Sequence, residues 1–339
     1  MGVAMTTRTV PHETAPQTVI HTAWPYHEDW AEALDGARTE FTEFLSLVAA
    51  PGADGKPQKL VIYVANAEAE ASARQALGEK AVYVRAAYGD VWTRDTGPVF
   101  VKTDQGLKAV RFRFNGWGGK YEYPGDESIG AVIARRAGAE IETLDWICEG
   151  GALEFDGEGT AITTRDVVLN PNRNPRLTEA RVEADLKRTC GIEKVIWLDD
   201  GLAGDHTDGH IDNVARFAAP GVVVTQRPSG LGDPNTALYA RTVRALKQAK
   251  DARGRTLKVI EIPSPGFVEA EDGGPAAASH MNWIIGPRHV VMPAYNRHAD
   301  EAVRALSHAF PEHEVVASPA NHILTGGGAF HCVTNNQPD

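Results

Sequence analysis

A closed, five-fold pseudosymmetric α/β ring is the fold class that this sequence predicts, on three observations. The same order of elements, a β-hairpin followed by a helix and a strand, returns about five times. Polar, glycine-rich segments recur at one place in that order, just after the last strand of a unit. The 339 residues contain no low-complexity linker that would divide them. A ββαβ unit of roughly 50 to 65 residues cannot bury both faces of its sheet alone. Five of them around an axis, with helices outside, bury one another. The competing arrangement is an α/β sandwich without symmetry. Residues 1–339 are read as a single domain.

The elements follow from pattern. At the N-terminal end TVIHTAW reads as a strand, EDWAEALDGARTEFTEFLSLV as a helix, and KLVIYVA and AVYVRA as strands. GPVFVKTDQGLKAVRFRF then reads as a hairpin, ESIGAVIARRAG as a helix and IETLDW as a strand. ALEFDGEGTAITT, LTEARVEADLKRTCG and KVIWLDD repeat that order. So do VARFA-PG-VVVTQ, NTALYARTVRALKQAK and LKVIEI, and finally WIIGPRHVVMPAY, DEAVRALSHAF and EVVAS. The Pro220-Gly221 pair supplies the turn of one hairpin.

Composition narrows the function classes. A hydrophobic fraction of 42% and a charged fraction of 23% suit a soluble globular protein. No apolar run approaches the roughly 18 residues of a membrane-spanning helix. The first residues lack the apolar centre of a secretion signal, and the Met-Gly start of MGVAMT matches a myristoylation signal only weakly. A cytoplasmic location is therefore expected. The net charge of -11 disfavours nucleic acid, which demands clustered Lys and Arg, and mildly favours a small cationic ligand. Three cysteines, Cys148, Cys190 and Cys332, make no disulfide framework.

The question becomes whether one thiol is a nucleophile. Cys332 follows Gly326, Gly327 and Gly328, which let backbone approach a ligand closely. A lone cysteine is otherwise a small buried hydrophobe, the reading that suits Cys148 beside Trp146 and Cys190 at a helix end. His210 and Asp212 are two apart. On a strand they would share a face and pair a general acid/base with a cation-binding carboxylate. A metal site from His206, His210 and one of Asp205, Asp208 and Asp212 is the rival. Asp95 in WTRDTGP reads either as a site residue or as the partner of Arg94. Glu149 in CEGG reads either as a site residue or as a solvated turn. If strand-end loops converge at one end of the ring, these residues meet.

Together the motifs resemble the agmatine deiminase family (peptidyl-arginine-deiminase-like), within the guanidine-modifying or pentein superfamily. The resemblance covers nearly the whole chain. It rests on AWPYHEDW at 23–30, WTRDTGP at 92–98, FNGWGGKY at 114–121, EGG at 149–151, LNPNRNP at 169–175, GHIDN at 209–213 and GGGAFHCVTNNQP at 326–338. It implies a five-fold α/β propeller, no cofactor, no metal, and self-association as a dimer or tetramer. It also implies roles: Asp95 and Asp212 clamp the guanidinium, Glu149 orients His210 and the near end of the substrate, His210 is general acid then base, and Cys332 forms a covalent amidino intermediate. Agmatine would give N-carbamoylputrescine and ammonia, a step of putrescine and polyamine biosynthesis.

Two departures from the family pattern are visible. The acidic GDEDTNGH-like run is here Gly204-Asp-His-Thr-Asp-Gly-His210, one residue shorter, and the polar Asn after the triple glycine is replaced by Ala329-Phe330. Both are expected beside the substrate's tail. For an ammonium tail the candidates are Trp92, Asp205 and Asp208, with Gly327 in the wall; for the carboxylate of arginine they are Arg165, Arg173 and Arg176. The alternatives to agmatine are free arginine, peptidyl-arginine, a methylated arginine, amidino transfer to an amine, a metal-dependent hydrolase, and a binding module without catalysis.

Overall fold

The computed structural model describes residues 7–339; the MGVAMT start lies outside them. Five small sheets are built from seventeen strands. After β1 (Arg8–Thr9) the chain forms β2 (Gln17–Ala23), β3 (Leu60–Val64) and β4 (Ala81–Arg85). The second sheet has β5 (Val99–Thr103), β6 (Gly106–Arg113) and β7 (Glu140–Ile147), and the third β8 (Glu154–Phe155), β9 (Thr160–Thr164) and β10 (Lys194–Leu198). The fourth has β11 (Ala215–Ala219), β12 (Val222–Arg227) and β13 (Lys258–Pro263). The fifth has β14 (Ile284–Ile285), β15 (His289–Ala294) and β16 (Glu314–Pro319).

In sheets two to five the first two strands pair antiparallel and the third joins parallel to the second. That is a ββαβ unit: a tight turn closes the hairpin, and a helix makes the crossover that a parallel partner requires. The crossover helices are Asp126–Arg136, Glu179–Cys190, Thr236–Gln248 and Ala299–Ser307. Each buries one stripe at helical spacing, such as Ala299, Ala302 and Leu306. β3 and β9 are buried at every residue, as expected of strands covered on both faces.

The first unit is made differently. β2 has no hairpin partner before it in the chain. Its antiparallel neighbour is β17 (Thr334–Pro338), the last strand, with Thr334 opposite Thr22. The two ends of the chain thus complete one sheet and close the five-fold propeller. β1 pairs with β5 and extends the second sheet. Between β3 and β4 runs a helix, Ala67–Leu77, that pattern reading does not find. Its buried stripe is Ala69, Ala73 and Leu77, too weakly apolar to stand out, and its start is set by the Asn66 side chain accepting from the Ala69 N–H at 2.9 Å.

One buried carboxylate positions the segment before Cys332. Glu40, from the helix Leu34–Val48, accepts the N–H of His322 at 3.0 Å and of Ile323 at 2.8 Å, at the start of the short helix Asn321–Leu324. A carboxylate there satisfies orphan donors and complements the helix end. Glu40→Ala is expected to lower stability by about 1–3 kcal/mol, because it strands buried donors. Glu40→Gln, which keeps one acceptor oxygen, is expected to lose less; urea unfolding of the two variants measures the difference.

Candidate active site

The third strand of every unit runs into a loop, and all five loops meet. After β4 comes the turn Thr93–Thr96 with Asp95; after β7, Glu149 and the turn Gly150–Ala152. After β10 come His210 and Asp212, after β13 Asn282, and after β16 Cys332. His210 and Asp212 are not on a strand: Ile211–Asn213 is a single turn of 3-10 helix with His210 just before it. The turn still sends both side chains to the same place.

The Cys332 sulfur lies 3.4 Å from Asp212 Oδ2 and 3.0 Å from Asn282 Nδ2. His210 is held between two carboxylates, Nδ1 3.6 Å from Asp95 Oδ1 and Nε2 3.5 Å from Glu149 Oε2. Asp95 accepts from Trp117 Nε1 at 2.9 Å and from the Gly151 N–H at 3.0 Å. Gly151 borders a gap that these groups share. A Cβ there would stand 2.6 Å from His210 Nδ1, 2.8 Å from Asp95 Oδ1 and 3.0 Å from Asp212 Oδ2. Only glycine fits without displacing them.

The charges are arranged in opposition. Burial pushes the Asp95 carboxyl up to about 6; His210 opposes that rise, while Asp212 adds to it. Burial alone would lower His210, but Asp95, Glu149 and Asp212 outweigh it and raise it to about 9. Burial also acts to raise Glu149 and Asp212. Both are nevertheless held below the usual carboxylate range, Glu149 by His210 and Arg173, Asp212 chiefly by the bond from His331 Nδ1 at 2.8 Å. Burial, Asp212 and Asp95 push the Cys332 thiol well above its ordinary value. Both ring nitrogens of His210 and Asp212 Oδ1 are buried without a hydrogen-bond partner. Unpaired polar atoms this deep mark the place of a polar ligand.

A cavity of about 520 Å³ opens onto this cluster, a volume suited to a small molecule. Asp95, Cys332, Trp92, Trp117, Tyr121 and Gly327 are among its walls. Trp92 packs under the triple glycine: a Cβ on Gly326 or Gly328 would come within 2.7 Å of its ring. Asp29, Glu32, Asp90 and Glu271 bring carboxylates to the walls, and the lining contains no Lys or Arg. Asp90 is committed to the indole N–H groups of Trp30 and Trp92, each at 2.8 Å.

Several expectations are corrected. Asp208 is outside the lining: it is bound to Arg173 at 2.6 Å, Lys120 at 2.5 Å and Asn172 at 2.9 Å, so it is spent on protein cations. Asp205 turns inward on its own loop and accepts from Thr207. Arg173 is fully buried against Glu149 and Asp208, and Arg165 pairs with Glu179 and Asp199. Arg176 is exposed away from the cavity. None of the three arginines lines the cavity. Arg94 pairs not with Asp95 but with Glu13, at 3.0 Å. Ala329 and Phe330 are core residues, Phe330 stacking on Phe44 with ring centroids 4.5 Å apart, so that departure from the family pattern does not touch a tail. The shortened loop reaches the cavity wall, through His206 and Thr207. The rings of His206 and His210 diverge, His206 to Tyr121 at the mouth and His210 to the buried carboxylates. Among the described residues no three His, Cys, Asp or Glu side chains gather as metal ligands.

Other supporting roles are visible only in three dimensions. Trp117 and Gly151 hold Asp95; Arg173 holds Glu149 from behind with both carboxylate oxygens, at 2.8 and 3.1 Å. His331 joins Asp212 to Glu13, which it meets at 2.9 Å, and Glu13 is gripped by Arg94 and Arg216. Trp117, Gly151 and Arg173 all lie inside quoted motifs, the one signal in the sequence that pointed to them.

The model of the Porphyromonas-type peptidyl-arginine deiminase family matches residues 9–338. The agmatine deiminase of Stutzerimonas stutzeri is 37% identical over 361 aligned residues, covering 97% of this chain and 95% of that protein. The agmatine deiminase of Pseudomonas aeruginosa is 35% identical, with coverage of 97% and 95%. Among solved structures, agmatine deiminase of Enterococcus faecalis superposes with a TM-score of 0.90 at 26% identity, over 98% of this chain and 96% of that one. The five-fold propeller is thus the pentein fold, and this chain belongs to the Porphyromonas-type peptidyl-arginine deiminase family.

Proposed function

We propose that this protein hydrolyses agmatine to N-carbamoylputrescine and ammonia, with Cys332 as nucleophile. One observation carries the reading: a buried thiol faces a gap bordered by Asp95, His210 and Asp212, where two carboxylates, one with its Oδ1 unpaired, can accept from a planar cation. A guanidinium is cationic at any neutral pH, and its carbon is deactivated by resonance. Its hydrolysis therefore needs a strong nucleophile held in line, and orientation supplies several kcal/mol of the barrier. Asp95 and Asp212 brace the cation, and Glu149, anchored by Arg173, keeps His210 protonated and aimed.

Before a substrate binds, burial and two carboxylates oppose ionisation of the thiol. Arrival of the guanidinium offsets those carboxylates, and the thiol proton is released to solvent. The thiolate adds to the guanidinium carbon. His210 gives its proton to a terminal nitrogen, the C–N bond breaks, and ammonia leaves an S-amidino intermediate. His210, now neutral, takes a proton from water as the water attacks. The adduct's hydroxyl proton passes to solvent as the C–S bond breaks, releasing the carbamoyl product and the thiolate.

The tail reading follows from the walls. An ammonium group suits a cavity with carboxylates and no Lys or Arg, whereas the α-carboxylate of arginine would meet only like charge. Glu271, exposed at the mouth, is the carboxylate proposed for that ammonium. No helix among the described residues is long and apolar enough to cross a membrane. A reducing cytoplasm would preserve the three free thiols.

Incubation with agmatine is expected to release ammonia and N-carbamoylputrescine in equal amounts, and Cys332→Ala to release neither. Activity that survives this change, but not a chelator, would transfer the reaction to a metal. The rate kcat/KM is expected to rise through about pH 6 as Asp95 ionises and fall through about pH 9 as His210 loses its proton. A profile flat across that span contradicts the two assignments. Arginine is expected to react with kcat/KM about 100-fold or more below agmatine. Glu271→Gln is expected to raise KM for agmatine about threefold with kcat unchanged, the size of an exposed ion pair.

A further inference from the structure

We propose that Asn282 is a sixth catalytic residue, whose side-chain amide donates a hydrogen bond to the Cys332 sulfur and stabilises it as the attacking thiolate. The proposal rests on the reading of Cys332 as nucleophile and adds to it a group that touches the reacting atom. Asn282 comes from the loop after β13, in the fourth unit, the same loop that carries Glu271 to the cavity mouth. It is buried, with 1% exposure, and every bond its amide can make is made. Oδ1 accepts the backbone N–H of His331 at 3.0 Å and of Cys332 at 3.2 Å. Nδ2 donates to Asn213 Oδ1 at 2.9 Å and to Cys332 Sγ at 3.0 Å.

The direction of that last bond is determined by the other three. Rotating the amide by half a turn would set its NH₂ against two backbone N–H groups and its oxygen against Asn213 Oδ1 and the sulfur. The nitrogen must therefore face Sγ. Its effect is one-sided. Asp212, 3.4 Å away, opposes a negative sulfur, and so does burial. Among the described residues Asn282 is the side-chain N–H donor on the sulfur, in a buried site where such a bond is strengthened. A neutral donor also suits the chemistry better than Lys or Arg. A fixed cation beside Asp212 and Asp95 would take the place of the substrate's guanidinium, and an amide does not.

The test separates donor from scaffold. Asn282→Asp keeps an oxygen for the two backbone N–H groups and replaces the donor by an acceptor. It is expected to lower kcat for agmatine about 100-fold or more, the usual effect of losing one such donor, with KM within about threefold. Alkylation of Cys332 by 2-chloroacetamidine, a planar amidinium with a reactive carbon, is expected to slow in proportion. Asn282→Ala removes the amide without adding charge and is expected to slow both; thermal unfolding checks each fold. A folded variant with kcat and alkylation within about threefold of wild type overturns the proposal. The wild-type protein supplies a measurement that needs no variant at position 282. With ¹⁵N-labelled asparagine, one side-chain amide proton moves downfield as Cys332 ionises, and Cys332→Ser abolishes the movement; no movement also overturns the proposal. A wild type alkylated at Cys332 that leaves agmatine intact would end the substrate reading and leave the role of Asn282 standing.

Discussion

The architecture depends on keeping carboxylates ionised inside a protein core while leaving them able to bind a further cation. Burial penalises each of these charges, and each is answered by a specific partner. Glu149 has Arg173; Asp212 has His331; Glu13 has Arg94 and Arg216 as well as His331. Loss of one partner of such a pair costs about 3–5 kcal/mol, because a charge is left buried alone. Asp95 is the exception. Its bonds come from neutral donors, the Trp117 indole and the Gly151 amide, and its nearest cation is His210 at a loose 3.6 Å. Asp95 is thus the least compensated of the set, and it is the one that reaches the cavity wall. The site has negative charge in reserve, positioned where a cation arrives.

That reserve also governs the nucleophile. In the proposed reaction, burial and the neighbouring carboxylates oppose ionisation of the Cys332 thiol until a bound cation offsets them. The carboxylates that select a guanidinium are the same groups that hold the sulfur back without one. Selection and activation become one event.

The propeller makes this possible by geometry. Five units deliver five loops to one end, so each unit contributes only a few polar side chains there, while the apolar cores form between neighbouring units. The last strand, β17, binds the Cys332 loop to the first sheet, and Glu13, before β2, reaches His331 from the opposite end of the chain. The two termini therefore bear directly on the residue next to the nucleophile.

Most of the strand order was legible, because hairpins and crossover helices write their periods locally: alternation in VVVTQ, helical spacing in DEAVRALSHAF. The helix Ala67–Leu77 and the strand Thr334–Pro338 were not, since an alanine stripe and a run of Asn, Gln and Pro carry no apolar period. Cys332, His210, Asp95, Asp212 and Glu149 were named from residue type and motif, because nucleophiles, bases and carboxylates announce their chemistry by identity. Asn282 was not, although a five-fold pattern with no site residue named in its fourth loop was a signal. Asp208 and Arg173 were misread because sequence shows a charge but not its partner, and here the two neutralise each other. The amino-acid order by itself determined the units and their number, and it brought forward the side chains that the fold gathers at one place. Which charges are spent on one another and which remain for a substrate was decided only by the tertiary structure, because pairing depends on distances of 3 to 4 Å between residues far apart in the chain.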